Sequence, residues 1–516
     1  MVFSSSVFLF AFLPLVLTGY FLCRGTRARN AWLLAASLFF YAWGEPVYVF
    51  LMMVCIVVNW AFAKAIEGAK EVGRKKRVLL IVAIVIDILI IGFFKYEGFV
   101  ARTVNAVAGS SIVADLQLPL PIGISFYTLQ ALSYVIDVYR GRVHAQRNIA
   151  VLGMYIACFP QLIAGPIVRY ADIEKQVAER SVTIAGVAGG MRLFVVGLAK
   201  KVLLANVVAI LATDMLSRGG ADIGTVGAWC GILAYAFQIY FDFSGYSDMA
   251  IGLGRMLGFT YRRNFNYPYI ATSAREFWRR WHISLSSFFR DYLYIPLGGN
   301  RAGTLRWVLN MLVVWSVTGL WHGAAWNFVL WGTYWGVLLI GERLLWGRLL
   351  DRLPRLAGHA YALLVIIAGW TFFSIEDIPS LVAFWQAMLG GFGFTGSSTF
   401  WELGVWEYIP VFVVCCLAST PLIPWIHRKL GDWAGQGAPA ACDEGDAARV
   451  RPLWDTRCLG SESLCDFTPP HDCLPSRRRV LLALGVACDA ALLLLLVLSA
   501  MSVIWGSFNP FIYFRF

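Results

Sequence analysis

Between Arg306 and Glu342 the chain contains no Lys, Arg, Asp or Glu. Such a run, from Trp307 to Gly341, leaves its backbone few options. In hydrocarbon every N–H and C=O must find a partner inside the protein, so only a helix or a closed barrel can cross. A barrel strand would alternate apolar and polar residues, and this run is continuous. Comparable runs of about 17–25 residues, the length that spans a bilayer as helix, recur along the sequence. Of its 516 residues 59% are hydrophobic and only 14% charged, too few charges to clothe a soluble globule of that size. The sequence therefore predicts an all-α polytopic membrane protein of roughly ten to twelve membrane segments, some of them re-entrant or interfacial.

The net charge of +12 belongs, in such a chain, to cytoplasmic loops that set orientation, and it does not argue for nucleic acid. Residues 7–22 read as an uncleaved first span, because Arg24, Arg27 and Arg29 follow and no cleavage site does. The basic stretches 67–77, 140–148, 262–306 and 343–355 are expected in the cytoplasm. The weakly charged 44–46 and 395–404 are expected outside.

Residues 428–479 break the pattern, being polar and rich in Gly, Pro and mixed charge. They read as a loosely ordered cytoplasmic loop that interrupts a membrane body made of 1–427 and 480–516. Cys442, Cys458, Cys465 and Cys473 lie there at gaps of 16, 7 and 8, beside His471. Without a C-x-x-C pair the zinc signal is weak, and no metal is expected.

His322 is the one side chain of the 307–341 run that titrates near neutrality. A histidine at membrane depth can be neutral, but it needs hydrogen-bond partners or a water-filled cavity. Gly319 and Gly323 allow close helix approach or a helix break, and Trp321 and Trp326 supply pocket walls. Asn327 offers a polar partner if the segment stays helical. A structural histidine bonded to a backbone carbonyl is the plain alternative.

A second candidate is REFWRRWHISLSSFFRDYLYIPLGGN, residues 275–300. At helical spacing Phe277, Trp281, Leu285, Phe288 and Tyr292 share a face, as in a helix lying at the cytoplasmic interface. His282 sits among these aromatics, and Arg279 and Arg280 could attract an anionic donor. The third is YFDFSGYSDMAIGLG, residues 240–254, where Asp242 and Asp248 interrupt an apolar stretch. Buried carboxylates mark either a structural hydrogen-bond network or an ion path. An ion- or proton-coupled transporter using Asp242, Asp248 and His322 is the competing function.

These stretches, with PIGISFYTLQALSYVIDVYRG, FPQLIAGPIVRY and GLWHGAAWNFVLWG, resemble the membrane-bound O-acyltransferase family. The opening MVFSS and the ending FNPFIYFRF resemble its bacterial alginate O-acetylation branch. The resemblance implies a helical body around a central tunnel, in a bacterial inner membrane. It places His322 at the family's catalytic histidine and His282 at its second, motif-borne histidine. It further implies acetyl-CoA as donor substrate, no bound cofactor, and periplasmic acetyltransferase partners that finish transfer to an exported polysaccharide.

Overall fold

The computed structural model describes residues 1–69, 73–301, 303–434, 475–506 and 511. Among them the chain is helical, with no strand. Residues 435–474, with their four cysteines and His471, lie outside the described residues. At the borders of that loop the chain is helical, since Leu422–Ala434 and Pro475–Trp505 reach further into 428–479 than composition implies.

Seven described helices are long and apolar enough to cross a bilayer: Tyr48–Gly68, Arg74–Ala108, Ile184–Ser217, Gly220–Met256, Trp326–Leu350, Arg355–Ser374 and Arg479–Trp505. The pair Val405–Ala418 and Leu422–Leu430, bent by 52°, makes an eighth if it is one span. These are the crossing helices alone, whereas the ten to twelve segments expected from the sequence include re-entrant and interfacial ones. Several apolar stretches are cut into pieces too short to cross. The 120–141 stretch becomes helical only at Ile124, after Gly123 takes a left-handed turn at φ 77°. The 158–170 stretch yields one turn, Phe159–Leu162. Phe8–Leu22 is likewise a shorter apolar helix, not the full first span expected from 7–22. Extended Cys23 and Gly25, at φ 82°, turn the chain into the next helix, Thr26–Ala42.

Gly220–Met256 is the central pillar. Two thirds of its most apolar window is buried (67%), against 17% for Arg74–Ala108 and 11% for Arg479–Trp505, which lie at the lipid-facing rim. It packs on Ile184–Ser217 at backbone distance. A Cβ on Gly197 would sit 2.5 Å from the Gly245 carbonyl oxygen, so only glycine permits the approach. That neighbour opens into a π-helical turn over Lys200–Ala205. From it Lys201 reaches Asp242 at 2.5 Å, and Lys200 reaches Asp248 at 2.6 Å. The two carboxylates are thus held in ion pairs between the central helices.

Candidate active site

His322 ends the helix Thr304–His322, and Trp326–Gly341 begins after an extended break at Gly323–Ala325. The two helices fold back on each other at glycines. A Cβ on Gly319 would lie 2.1 Å from the Phe328 carbonyl oxygen, and one on Gly332 would lie 2.2 Å from that of Trp315. Any larger residue would pry the hairpin open and move the histidine at its tip.

The last carbonyls of a helix have no partner within it. Here the Arg74–Ala108 helix caps them. Lys95 Nζ donates to Trp321 O at 2.5 Å, to His322 O at 3.1 Å and to Ser125 Oγ at 3.4 Å. Tyr96 OH donates to Leu320 O at 2.8 Å. A buried cation at a helix C-terminus also matches the sign of the helix dipole. Lys95 therefore fixes the backbone that carries the imidazole. The sequence did carry a signal for it, since Lys95 follows a long apolar run and a charge at membrane depth marks function.

The imidazole is 3% exposed. Trp331 and Phe373 meet it edge-on, with ring centroids at 4.9 and 5.4 Å. On its remaining side lies a cavity of about 50 Å³ lined by Lys95, the Leu120–Phe126 turn, Ile163 and Trp321. That is room for a few waters or a group of similar size. His322 borders this cavity while both its ring nitrogens are buried. Asn327 does not become its partner by helical continuation, because the break at Gly323 intervenes. Its Nδ2 donates instead to Phe372 O at 3.2 Å.

His282 lies 6.5 Å from His322, ring centre to ring centre, and is fully buried. It does not sit in one interfacial helix. The 275–300 stretch is split into Ala274–Arg280, Ile283–Phe289 and a π turn, Arg290–Tyr294. His282 stands at the first break in the left-handed region, φ 43°. The conformation is unusual for a residue with a side chain and is held by neighbours on every side. Phe243 meets the ring edge-on at 4.6 Å.

Asn264 is the hub below it. Its Oδ1 accepts from Ser284 N at 3.1 Å and from Ser284 Oγ at 2.9 Å, and it lies 3.2 Å from His282 Nδ1. A backbone N–H can only donate, so the shared atom is the amide oxygen. His282 Nδ1 therefore carries its proton, and in the neutral ring Nε2 holds the lone pair. Asn264 lies in the basic stretch 262–306 without periodicity or motif to single it out.

The two arginines expected to attract a donor are placed differently from each other. Arg280 is tied down, with Nε on Glu276 Oε1 at 2.9 Å and Nη1 on Asn266 O at 3.1 Å. Arg279 is exposed. Among the described residues no group of three or more His, Cys, Asp or Glu could hold a metal ion. The arrangement has two imidazoles, one with an assigned tautomer, set among the rings of Phe243, Phe265, Trp321, Trp331 and Phe373. Such a site suits proton transfer sheltered from bulk water.

The sequence model of the membrane-bound O-acyltransferase family matches residues 124–375, the segment that contains both histidines. The chain is 38% identical to a probable alginate O-acetylase of Azotobacter vinelandii over the whole length of both proteins. It is 38% identical, again over both whole lengths, to the probable alginate O-acetylase of Pseudomonas aeruginosa. A peptidoglycan O-acetyltransferase of Helicobacter pylori is 35% identical over 76% of this chain and 80% of its own. The chain belongs to the membrane-bound O-acyltransferase family, and it is a multi-pass membrane enzyme of the O-acyltransferase class. A transporter is not favoured by this kinship, nor by the paired state of Asp242 and Asp248.

Proposed function

We propose that this protein is an O-acetyltransferase of a bacterial inner membrane, serving an exported polysaccharide such as alginate. Acetyl-CoA is the cytoplasmic donor, and the acetyl group leaves on the opposite face through a continuous passage. There, periplasmic acetyltransferase partners complete the transfer. One observation carries the reading: His322, at the tip of a broken helix hairpin, borders a cavity at the end of Ile124–Tyr139 remote from the basic 140–148 segment.

In this reading His322 is the general base. Its neutral imidazole takes the proton of the acceptor hydroxyl as that oxygen attacks the thioester carbonyl. The carbon–sulfur bond breaks, and the departing thiolate receives the proton from the imidazolium. Such catalysis is typically worth about 10²–10⁴-fold. His282, fixed by Asn264, assists from 6.5 Å. Arg279 remains a donor contact in this proposal, and Arg280 a weaker one because its bonds are already committed.

The test is transfer of labelled acetyl from acetyl-CoA by detergent-purified protein, with O-acetyl content measured on the cell's glycans after gene deletion and complementation. His322→Ala should abolish both while leaving protein levels near normal. His282→Ala should lower them less. Acetylation retained in His322→Ala refutes the assignment. The kinship with a peptidoglycan O-acetyltransferase supports a second acceptor class, so exported polysaccharide and cell-wall glycan are assayed side by side.

A further inference from the structure

Glu342 is a buried carboxylate that the proposed chemistry does not use. It follows the helix Trp326–Gly341 and opens the π-helical turn Glu342–Trp346, so it stands at the base of the hairpin that carries His322. Only 2% of it is exposed. A carboxylate removed from water needs hydrogen-bond partners. Here they are backbone donors from another segment. Ala274 N donates to Oε1 at 2.6 Å and Arg275 N to Oε2 at 3.0 Å. The Tyr361 hydroxyl, on Arg355–Ser374, faces the same carboxylate.

These donors are ones that the helix Ala274–Arg280 cannot satisfy itself, since the first N–H groups of a helix have no partner within it. Glu342 takes those of Ala274 and Arg275, and Ser273 Oγ takes that of Glu276 at 3.0 Å. A negative charge there also matches the sign of the helix dipole. The helix is closed at its other end by Trp281 N on Phe277 O at 2.8 Å, and His282 is the next residue. Seven residues rise about 10 Å, so a short rod runs from Glu342 toward His282.

The rod lies against the hairpin through rings. Phe277 stacks on Trp335 at 5.4 Å and 14°, and Trp278 meets Trp331 and Trp335 edge-on at 5.7 and 5.2 Å. Trp331 in turn meets His322 at 4.9 Å. Apolar contact gains mainly by area and holds two helices together with little preference for lengthwise position. Hydrogen bonds weaken steeply once distance and angle are lost. The two bonds to Glu342 therefore set the register of the rod. A slip of one residue along a helix is about 1.5 Å, against a separation of 6.5 Å between the two imidazoles.

We infer that Glu342 is a positioning residue: it pins the helix that leads to His282 in register with the hairpin that carries His322, and so sets how far apart the two imidazoles stand. The inference rests on the proposed reading that both histidines serve acyl transfer.

The test is a double-mutant cycle on full-length protein in detergent, with labelled acetyl-CoA as the probe and kcat and KM read separately. Glu342→Leu should lower kcat by about tenfold, no further than His282→Ala does, and leave KM unchanged. In the His282→Ala background the same substitution should cost less than about twofold, because its effect runs through that ring. Glu342→Gln keeps the shape of the side chain and one acceptor oxygen, and should lose about threefold, a loss that also vanishes in His282→Ala. This variant carries the cycle where Glu342→Leu does not accumulate. Amide exchange over 274–280 should quicken by at least about tenfold in Glu342→Leu, while Gly220–Met256 exchanges as in wild type. Turnover within about twofold of wild type in Glu342→Leu overturns the inference, as does unchanged exchange over 274–280. An undiminished loss in the His282→Ala background, from either variant, also overturns it and makes Glu342 a prop for the fold alone. Wild-type turnover in His282→Ala overturns the underlying reading and the inference with it, and is told apart because Glu342 is intact there.

Discussion

Replacing Lys95 with Met tests whether the His322 imidazole is held through its own backbone. The substitution keeps an unbranched chain one atom shorter and removes two hydrogen bonds to the terminal carbonyls, at 2.5 and 3.1 Å. Bonds to a charged group contribute about 1.5–3 kcal/mol each, so the upper loss is about 3–6 kcal/mol. Water in the adjoining cavity can reach the freed oxygens and restore part of that, leaving about 2–3 kcal/mol. The functional effect is larger than the stability effect, because a misplacement of about 1 Å in a reacting group costs on the order of 10²-fold. Purified Lys95→Met should transfer acetyl with kcat lower by about 10²-fold and with KM for acetyl-CoA unchanged. Lys95→Gln, whose amide still donates, should keep a tenth or more of wild-type turnover. Turnover in Lys95→Met within twofold of wild type would refute the capping role. Equal inactivation in both variants would shift the role from capping to the positive charge itself.

Gly319→Val should abolish accumulation of folded protein, read as loss of the monodisperse peak in detergent, because its Cβ would meet the Phe328 carbonyl oxygen at 2.1 Å. Asn264→Asp keeps the acceptor oxygen and should retain far more turnover than Asn264→Leu. In a His282→Ala background the two should differ little, since the catalytic part of the effect runs through the imidazole. Breaking the buried Lys201–Asp242 pair by Lys201→Met should destabilise by about 3–5 kcal/mol in a denaturation series, and adding Asp242→Leu should recover most of it.

The sequence made the membrane class legible because an uncharged run as long as Trp307–Gly341 admits so few backbones. It also located both histidines, whose polarity stands out against apolar surroundings, and Gly319 and Gly323 flagged the close approach and the break. What it hid was the path of the chain between these points. Periodicity in 275–300 shows a shared face whether or not the helix is continuous. The left-handed break at His282 is held by Asn264, which contacts His282 and Ser284 from 18 and 20 residues away in sequence. Apolarity does not separate crossing from non-crossing segments, because it measures burial as well as lipid contact. Short helices such as Ile149–Ala157 are as apolar as a true span. Lys95 and Asn264 act on residues 227 and 18 positions away, and pattern within a window does not report such pairs.

The Phe8–Leu22 helix has a consequence for the lipid around it. Its 15 residues rise about 22 Å, while an ordinary hydrocarbon layer is about 30 Å thick. Phe10, Leu15, Phe21 and Leu22 are turned outward, so acyl chains must meet this flank at its own height. The bilayer thins there or the protein tilts, at a fraction of a kcal/mol per ångström of mismatch. Membrane thickness thereby becomes a variable to which this enzyme is mechanically coupled.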